Sequence, residues 1–349
     1  MTSRILAHAD GGLGHLTLDR PRALNALDHL TLDEVAGVLE AWRDDPAVAA
    51  VVLDGAGERG FCAGGDIREL YGSVTDGRHP DARRYFRREY ALDAAIAEYP
   101  KPVVAIMDGI TMGGGVGLSG HAAVRVVTER SRVAMPETRI GFTPDVGGSW
   151  LLARAPGHLG EHLALTGASM TGADAIHAGF ADHLVPADRL PALVDELRRT
   201  GDVAEAVARY AVAPPEAPLA ARRAHVDACY AAATVEEIVD RLHDAARRGD
   251  EQAAQEVATL EALSPTALTV TLAAVRRARD LPTLRRALEQ EYGLVSWFIE
   301  TQPDLPEGIR AQVIDKDRSP RWRPATLAEL DPGVAHAALA YVPPEPLWG

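Results

Sequence analysis

Apolar residues along this chain fall into two alternating patterns. Leu16 and Leu18 alternate with polar neighbours before Asp19-Arg20-Pro21, which predicts a half-buried strand ended by a turn. Leu32, Val35, Leu39 and Trp42 then share one helical face, and Thr31 with Glu34 has the spacing of a capping box at the helix start. Residues 48–53 form a short apolar run closed by Asp54-Gly55-Ala56-Gly57, the form of a buried strand feeding a loop. A helical stretch over residues 81–98 and an apolar strand within residues 100–107 repeat the alternation. Strand following helix in this way predicts an α/β domain with its ligand sites on the loops after the strands. The pattern alone fits a doubly wound sheet and does not define the winding.

After about residue 188 the strand signal fades. Residues 194–199, 234–248, 251–260 and 265–279 suit helices, and Ser264 before Pro265 is a good cap and first-turn pair. The expected division is a catalytic core over residues 1–190 and a mostly helical C-terminal region over residues 191–349. Pro214-Pro215-Glu216-Ala217-Pro218 is the best linker candidate.

Charge and cysteine content narrow the partners. The 349-residue chain carries a formal charge of -14, which repels phosphate backbones and anionic membranes, so neither nucleic acid nor a membrane is an expected partner. No stretch approaches the roughly 20 apolar residues of a membrane span. Residues 1–18 lack a basic head, an apolar run and a small-residue cleavage site, and the expected location is the cytoplasm. Cys62 and Cys229 supply no C-x-x-C pair, and read as buried free thiols. An anionic ligand would have to meet local basic groups such as Arg22 or Arg68.

Three glycine-bearing loops carry the candidate chemistry. In Gly60-Phe61-Cys62-Ala63-Gly64-Gly65-Asp66-Ile67, paired glycines let the backbone approach a ligand closely, although a plain tight turn accounts equally well for this segment taken alone. Gly113-Gly114-Gly115 stands at a predicted helix start, where free N–H groups face a ligand and three glycines would be costly as a mere connector. Two N–H groups, one from each loop, would form an oxyanion hole for a thioester carbonyl. The third segment places Glu137 and Asp145 among apolar residues and glycines, where a partly buried carboxylate becomes a usable general base.

The order of these loops behind Arg20-Pro21-Arg22-Ala23-Leu24-Asn25-Ala26-Leu27 resembles the crotonase (enoyl-CoA hydratase/isomerase) superfamily, and within it the 3-hydroxyisobutyryl-CoA hydrolase family. The similarity is carried by Phe61-Cys62-Ala63-Gly64-Gly65-Asp66-Ile67-Arg68, residues 109–119, 135–138 and 144–148, Phe86-Arg87-Arg88-Glu89-Tyr90, and residues 307–317. It implies a crotonase-type spiral of ββα units with an extended helical C-terminal region. It also implies that the Gly65 and Gly114 N–H groups bind the thioester oxygen and that Gly65, Asp66, Ile67 and Arg68 line the coenzyme A path. Glu137 would be the principal catalytic carboxylate, with Asp145 and Glu89 at the acyl end or its water. Coenzyme A belongs to the substrate, and no separate cofactor is expected. Assembly as trimers or pairs of trimers is a further implication of the resemblance, with coverage of the same surface by the long C-terminal region within one chain as the alternative.

Hydratases of this superfamily use two glutamates, one in the glycine helix and one at the position of Glu137. The helix position here is Gly117, which cannot exchange a proton, so the pattern favours thioester hydrolysis over hydration. Phe142, Thr143, Ser149 and Trp150 are expected to shape the acyl pocket.

Other motifs read as ordinary structure. Residues 115–120 match G-x-G-x-x-G but stand too far from the preceding strand for a dinucleotide site. His158-Leu159-Gly160-Glu161-His162 matches an inverted zincin, yet Gly160 weakens the helix it needs, and two exposed histidines without metal are expected. Ser119 lacks the G-x-S-x-G frame of a serine nucleophile. Arg83, Arg84, Arg87 and Arg88 read as a solvated basic face.

Overall fold

The computed structural model describes residues 3–348. Nine strands come first: β1 Ile5–Asp10, β2 Leu13–Leu18, β3 Ala50–Gly55, β4 Gly60–Cys62, β5 Val103–Met107, β6 Ile110–Met112, β7 Val124–Val127, β8 Arg132–Ala134 and β9 His183–Leu184. Among them lie the helices α1 His29–Arg43, α2 Ile67–Thr75, α3 His79–Ala97, α4 Gly114–Gly120, α5 Gly148–Arg154, α6 Leu159–Thr166 and α7 Gly172–His177. From there to the C-terminus the described regular structure is helical: α8 Leu190–Thr200, α9 Val203–Tyr210, α10 Pro218–Ala221, α11 Arg223–Tyr230, α12 Val235–Arg247, α13 Glu251–Glu261, α14 Pro265–Ala278, α15 Leu284–Thr301, α16 Asp304–Ile309 and α17 Val334–Leu339.

Packing divides the chain into two units that interleave along the sequence. The first runs to Asp66 and takes in Arg88–Ala134 and Ser169–Ala220; the second holds Ile67–Arg87, Met135–Ala168 and the chain from Ala221 onward.

In the first unit β1 and β2 form an antiparallel hairpin, and β2-β3-β5-β7-β9 continue as parallel neighbours. A separate parallel sheet has the order β4-β6-β8. From β3 onward each successive pair, β3 with β4, β5 with β6 and β7 with β8, gives one strand to each sheet, which is the spiral of ββα units that the family resemblance implied. The doubly wound alternative fails because β4, β6 and β8 are three residues long, too short to register as periodic pattern. Leu13, Val52, Val104, Ile106 and Val126 form one apolar face of the large sheet, packed with Leu193 and Leu197 of α8 and Val207 of α9.

Helix α1 starts earlier than its pattern suggested. Asp28 is the N-cap, accepting from the Thr31 N–H and hydroxyl, so Thr31 is an internal residue and no capping box with Glu34 forms. Glu34 instead accepts from the Arg4 N–H at 2.7 Å. Ahead of the helix, Leu24 and Asn25 adopt left-handed backbone with φ of 53° and 55°. The buried Asn25 amide donates to the carbonyls of Ala56, Gly60 and Phe61 and accepts from the Arg20 N–H, clamping the loop between β3 and β4.

The second unit is mostly helical. Tyr230, Ile238, Leu242, Val257, Leu260 and Leu268 form a core shared by α11, α12, α13 and α14, with Leu165 of α6. Helix α6 is buried along its length, which corrects the expectation of two exposed histidines. Gly160 sits there because a Cβ would collide with the Leu152 carbonyl. His162 packs edge-on against Tyr230, and burial pushes its pKa down to about 4. His158 pairs with Glu161 at 3.0 Å.

Replacing Asn25 by Ala leaves up to three buried or part-buried carbonyls without their donor. Urea denaturation is expected to show a loss of about 2–4 kcal/mol, and a loss below about 1 kcal/mol would contradict the clamp.

Candidate active site

Backbone geometry of the first unit builds a pair of inward N–H groups. Leu27 pairs in parallel with Gly65: the Leu27 N–H donates to Gly64 and the Asp66 N–H donates back to Leu27. In such a bridge the N–H of the central residue, Gly65, points away from the partner strand. Gly114 opens α4, where a first-turn N–H has no acceptor within the helix. Neither N–H donates to a backbone carbonyl elsewhere among the described residues.

The two groups stand close together. A Cβ on Gly114 would lie 3.4 Å from the Gly65 nitrogen, and one on Gly64 would lie 3.2 Å from the Gly114 nitrogen. Gly64 and Gly113 have φ of 99° and 50°, a region that side chains resist. The same imaginary Cβ on Gly114 would collide with Oε1 of Glu89, so the space before this pair is shared with a buried carboxylate. That space suits an oxygen that gathers negative charge as it is attacked. Asp66 does not face a free position: it accepts from Arg20 at 3.2 Å.

Two neighbouring groups drop out as nucleophiles. Burial pushes the Cys62 thiol up to about 12, and Cys62 is packed where a Cβ on Gly115 would collide with its carbonyl. The buried Ser119 hydroxyl donates to the Gly115 carbonyl at 2.7 Å.

The second unit carries the other two carboxylates. Glu137 begins a single 3-10 turn, Glu137–Ile140, and is buried, as is Asp145. Gly141 ends that turn with φ 69°, and the Phe142 N–H closes back on the Glu137 carbonyl at 3.1 Å. Thr138 donates to Ala164 and Leu165 of α6, and Arg139 to Thr166 and Gly167, so the turn is tied to a buried helix. On its other side Gly308 of α16 lies where a Cβ would collide with the Ile140 carbonyl. The segment bearing Asp145 packs on the one bearing Glu137: a Cβ on Gly148 would come within 2.5 Å of Met135 Cε.

The residues expected to shape an acyl pocket have definite partners. Phe142 stacks between Phe86 and Phe298, Thr143 accepts from Thr271 at 3.0 Å, Ser149 donates to Glu291 at 2.5 Å, and Arg154 lies over the Trp150 ring. The four arginines of α3 are not a free solvated face. Arg83 is buried and pairs with Glu300, Arg84 pairs with Asp81, Arg87 with Glu345 at 2.9 Å and Arg88 with Asp33 at 2.9 Å. Arg68 donates to the Val313 carbonyl at 2.9 Å. Arg22 is exposed.

Residues 13–339 match the family described as enoyl-CoA hydratase/isomerase. The mitochondrial 3-hydroxyisobutyryl-CoA hydrolase of Gallus gallus is 39% identical over 338 residues, covering 93% of this chain and 86% of its own length. The chain belongs to the enoyl-CoA hydratase/isomerase family. Within that family it is similar to the 3-hydroxyisobutyryl-CoA hydrolases over nearly its whole length; the mitochondrial protein of Rattus norvegicus is 40% identical over 339 residues, covering 94% of this chain and 86% of its own. Among solved structures, a carnitinyl-CoA dehydratase from Mycobacterium thermoresistibile matches with a TM-score of 0.93 at 48% identity, over 99% of this chain and 98% of its own.

Two residues, one in each unit of this enoyl-CoA hydratase/isomerase family member, escaped sequence reasoning. Asn25 lay inside the quoted Arg-Pro-Arg-Ala-Leu-Asn-Ala-Leu segment, but nothing local marks its left-handed backbone or its three acceptors. Glu291 sits on α15 directly after Glu289-Gln290, at the edge of an apolar stretch, and a buried Glu 146 residues beyond Asp145 has no spacing signal.

Gly114→Ala would push a methyl into the space before the N–H pair. Steady-state turnover of an acyl-CoA is expected to fall about 10²-fold or more with the far-ultraviolet circular dichroism unchanged. Retained turnover would remove these two N–H groups from the site.

Proposed function

We propose that the chain hydrolyses a short 3-hydroxyacyl-CoA thioester, 3-hydroxyisobutyryl-CoA, to 3-hydroxyisobutyrate and free coenzyme A. Gly117 carries this reading. It is buried in α4, between the oxyanion-hole glycine Gly114 and the end of the helix, and offers no side chain where a hydratase needs its second acid. Curated relatives at 39% and 40% identity are named for the same hydrolysis.

In the proposed mechanism the N–H groups of Gly65 and Gly114 take up the charge that develops on the thioester oxygen. Glu137 acts on the carbonyl carbon by one of two routes. As a nucleophile it displaces the coenzyme A thiolate and forms an anhydride, which water then opens; as a base it takes a proton from water, whose oxygen attacks directly. In both routes the thiolate leaves with the electrons of the broken C–S bond and is protonated to the free thiol. Asp145 and Glu89 would contact the acyl end or the attacking water, and Gly65, Asp66, Ile67 and Arg68 would follow the coenzyme A chain. Valine breakdown and assembly as trimers or hexamers are parts of the same proposal, supported by the family resemblance; a cytoplasmic location is proposed from the two buried free thiols, which fit a reducing compartment, while the relatives named above are mitochondrial.

One observation favours a second reading. The dehydratase from Mycobacterium thermoresistibile shares 48% of the sequence, more than either hydrolase named above, and addition of water to an enoyl-CoA is the reaction its name implies in reverse.

The two readings separate in one assay pair. Release of free thiol from (S)-3-hydroxyisobutyryl-CoA, with Glu137→Gln lowering turnover by about 10²–10⁴-fold and leaving ligand affinity in place, is the expected result. Loss of crotonyl-CoA absorbance without thiol release would instead make the chain a hydratase. Ligand binding with neither reaction would make it an acyl-CoA-binding protein.

A further inference from the structure

The turn that bears Asp145 is strained, and a residue far along the chain holds it. Val146 has φ 52° and Gly147 has φ 76°, two successive left-handed residues, the first of them β-branched. A valine there is a true outlier, a conformation that persists only where its surroundings impose it. Within the turn the Gly148 N–H closes back on the Asp145 carbonyl at 2.6 Å.

A further restraint comes from Glu291 of α15. Its Oε2 accepts from the Gly147 N–H at 2.6 Å, and its Oε1 accepts from the Ser149 N–H at 2.9 Å and from the Ser149 hydroxyl at 2.5 Å. One carboxylate thus grips the backbone on both sides of Gly148, directly after the strained pair. Glu291 is wholly buried, with Leu288, Tyr292, Leu294 and Val295 buried beside it on the same helix, so it has no freedom to let the turn relax. Burial pushes its pKa up to about 8, the Ser149 and Gly147 donors oppose that rise, and the nearby charge of Asp145 adds to it. An isolated buried carboxylate next to a like charge is expensive, and the three donated hydrogen bonds offset that cost only in part.

We propose that Glu291 is a positioning residue of the hydrolase: it sets the left-handed turn at Val146-Gly147 and thereby aims the Asp145 carboxylate at the 3-hydroxyl of the acyl group. The inference rests on the proposed reading of Asp145 as an acyl-end contact. It makes the C-terminal helices part of substrate selection, because the grip reaches the turn from α15.

The test compares thiol release from (S)-3-hydroxyisobutyryl-CoA and from isobutyryl-CoA, which lacks the 3-hydroxyl, for the wild type, Asp145→Asn, Glu291→Leu, Glu291→Gln and the double variant D145N/E291L. If Glu291 acts through Asp145, Glu291→Leu lowers kcat/KM for the hydroxylated substrate by about 10–100-fold, spares isobutyryl-CoA, and adds no further loss to Asp145→Asn. Glu291→Gln keeps one acceptor and is expected to restore part of the preference. Ser149→Ala, which removes only the hydroxyl donor and guards against failure of the Leu variant to fold, should lower the same preference by about threefold to tenfold.

Equal losses on both substrates, or effects of Asp145→Asn and Glu291→Leu that multiply, would mean that Glu291 merely holds the fold and would overturn the proposal. If Asp145→Asn itself leaves the preference for the hydroxylated substrate unchanged, the reading of Asp145 fails first, and the role of Glu291 falls with it.

Discussion

The closest approach of two loops, Gly64-Gly65 against Gly113-Gly114, is the constraint on which the rest of the first unit depends. Two backbones meet there with no side chain between them, and the N–H groups of Gly65 and Gly114 are left without backbone carbonyls to bind. Unmet donors are normally a cost, and these two are the groups proposed to bind a developing oxyanion. Glycine is needed at Gly64 and Gly113 for the positive φ and at Gly114 for the space that Glu89 occupies.

That approach is held from behind. The parallel bridge from Leu27 sets the direction of the Gly65 N–H, and Asn25, two residues earlier, fastens the loop between β3 and β4 through three carbonyls. Arg20 ties Asp66 to the same segment. A run that precedes the glycine loop by some forty residues is therefore what orients it. The chain spends a buried asparagine in left-handed backbone on this task, a conformation asparagine tolerates better than most side chains.

The carboxylate loop of the second unit follows the same economy with different parts. Glu137 lies on a turn pinned by α6 on one side and by the bare Gly308 of α16 on the other, and the Asp145 turn is gripped by Glu291 of α15. Both carboxylates are thus positioned by helices from the end of the chain. The long C-terminal region is a support for these two turns as well as a covering for apolar surface. Phe142, between Phe86 and Phe298, fixes the segment that joins the two turns.

Much of this was legible in local pattern. Strong periodicity placed the buried strands β3 and β5 and the helices α1, α12, α13 and α14, because burial of one face repeats at short range in the sequence. The glycine loops and Glu137 were legible as motifs, since a backbone that must come close to a ligand admits little but glycine. The resemblance to a family supplied the spiral winding, which three-residue strands are too short to announce. The cap of α1, the burial of His162, the ion pairs of the α3 arginines and the grip of Glu291 on the Asp145 turn were decided only by tertiary structure. Each of these depends on a partner brought near by the folding of the chain, through separations that range from three residues at Asp28 and Thr31 to 258 at Arg87 and Glu345. Local sequence determines which conformations a segment prefers and which groups it offers; which of those groups meet, and therefore which are buried, paired or strained, is set by contacts that have no fixed spacing along the chain.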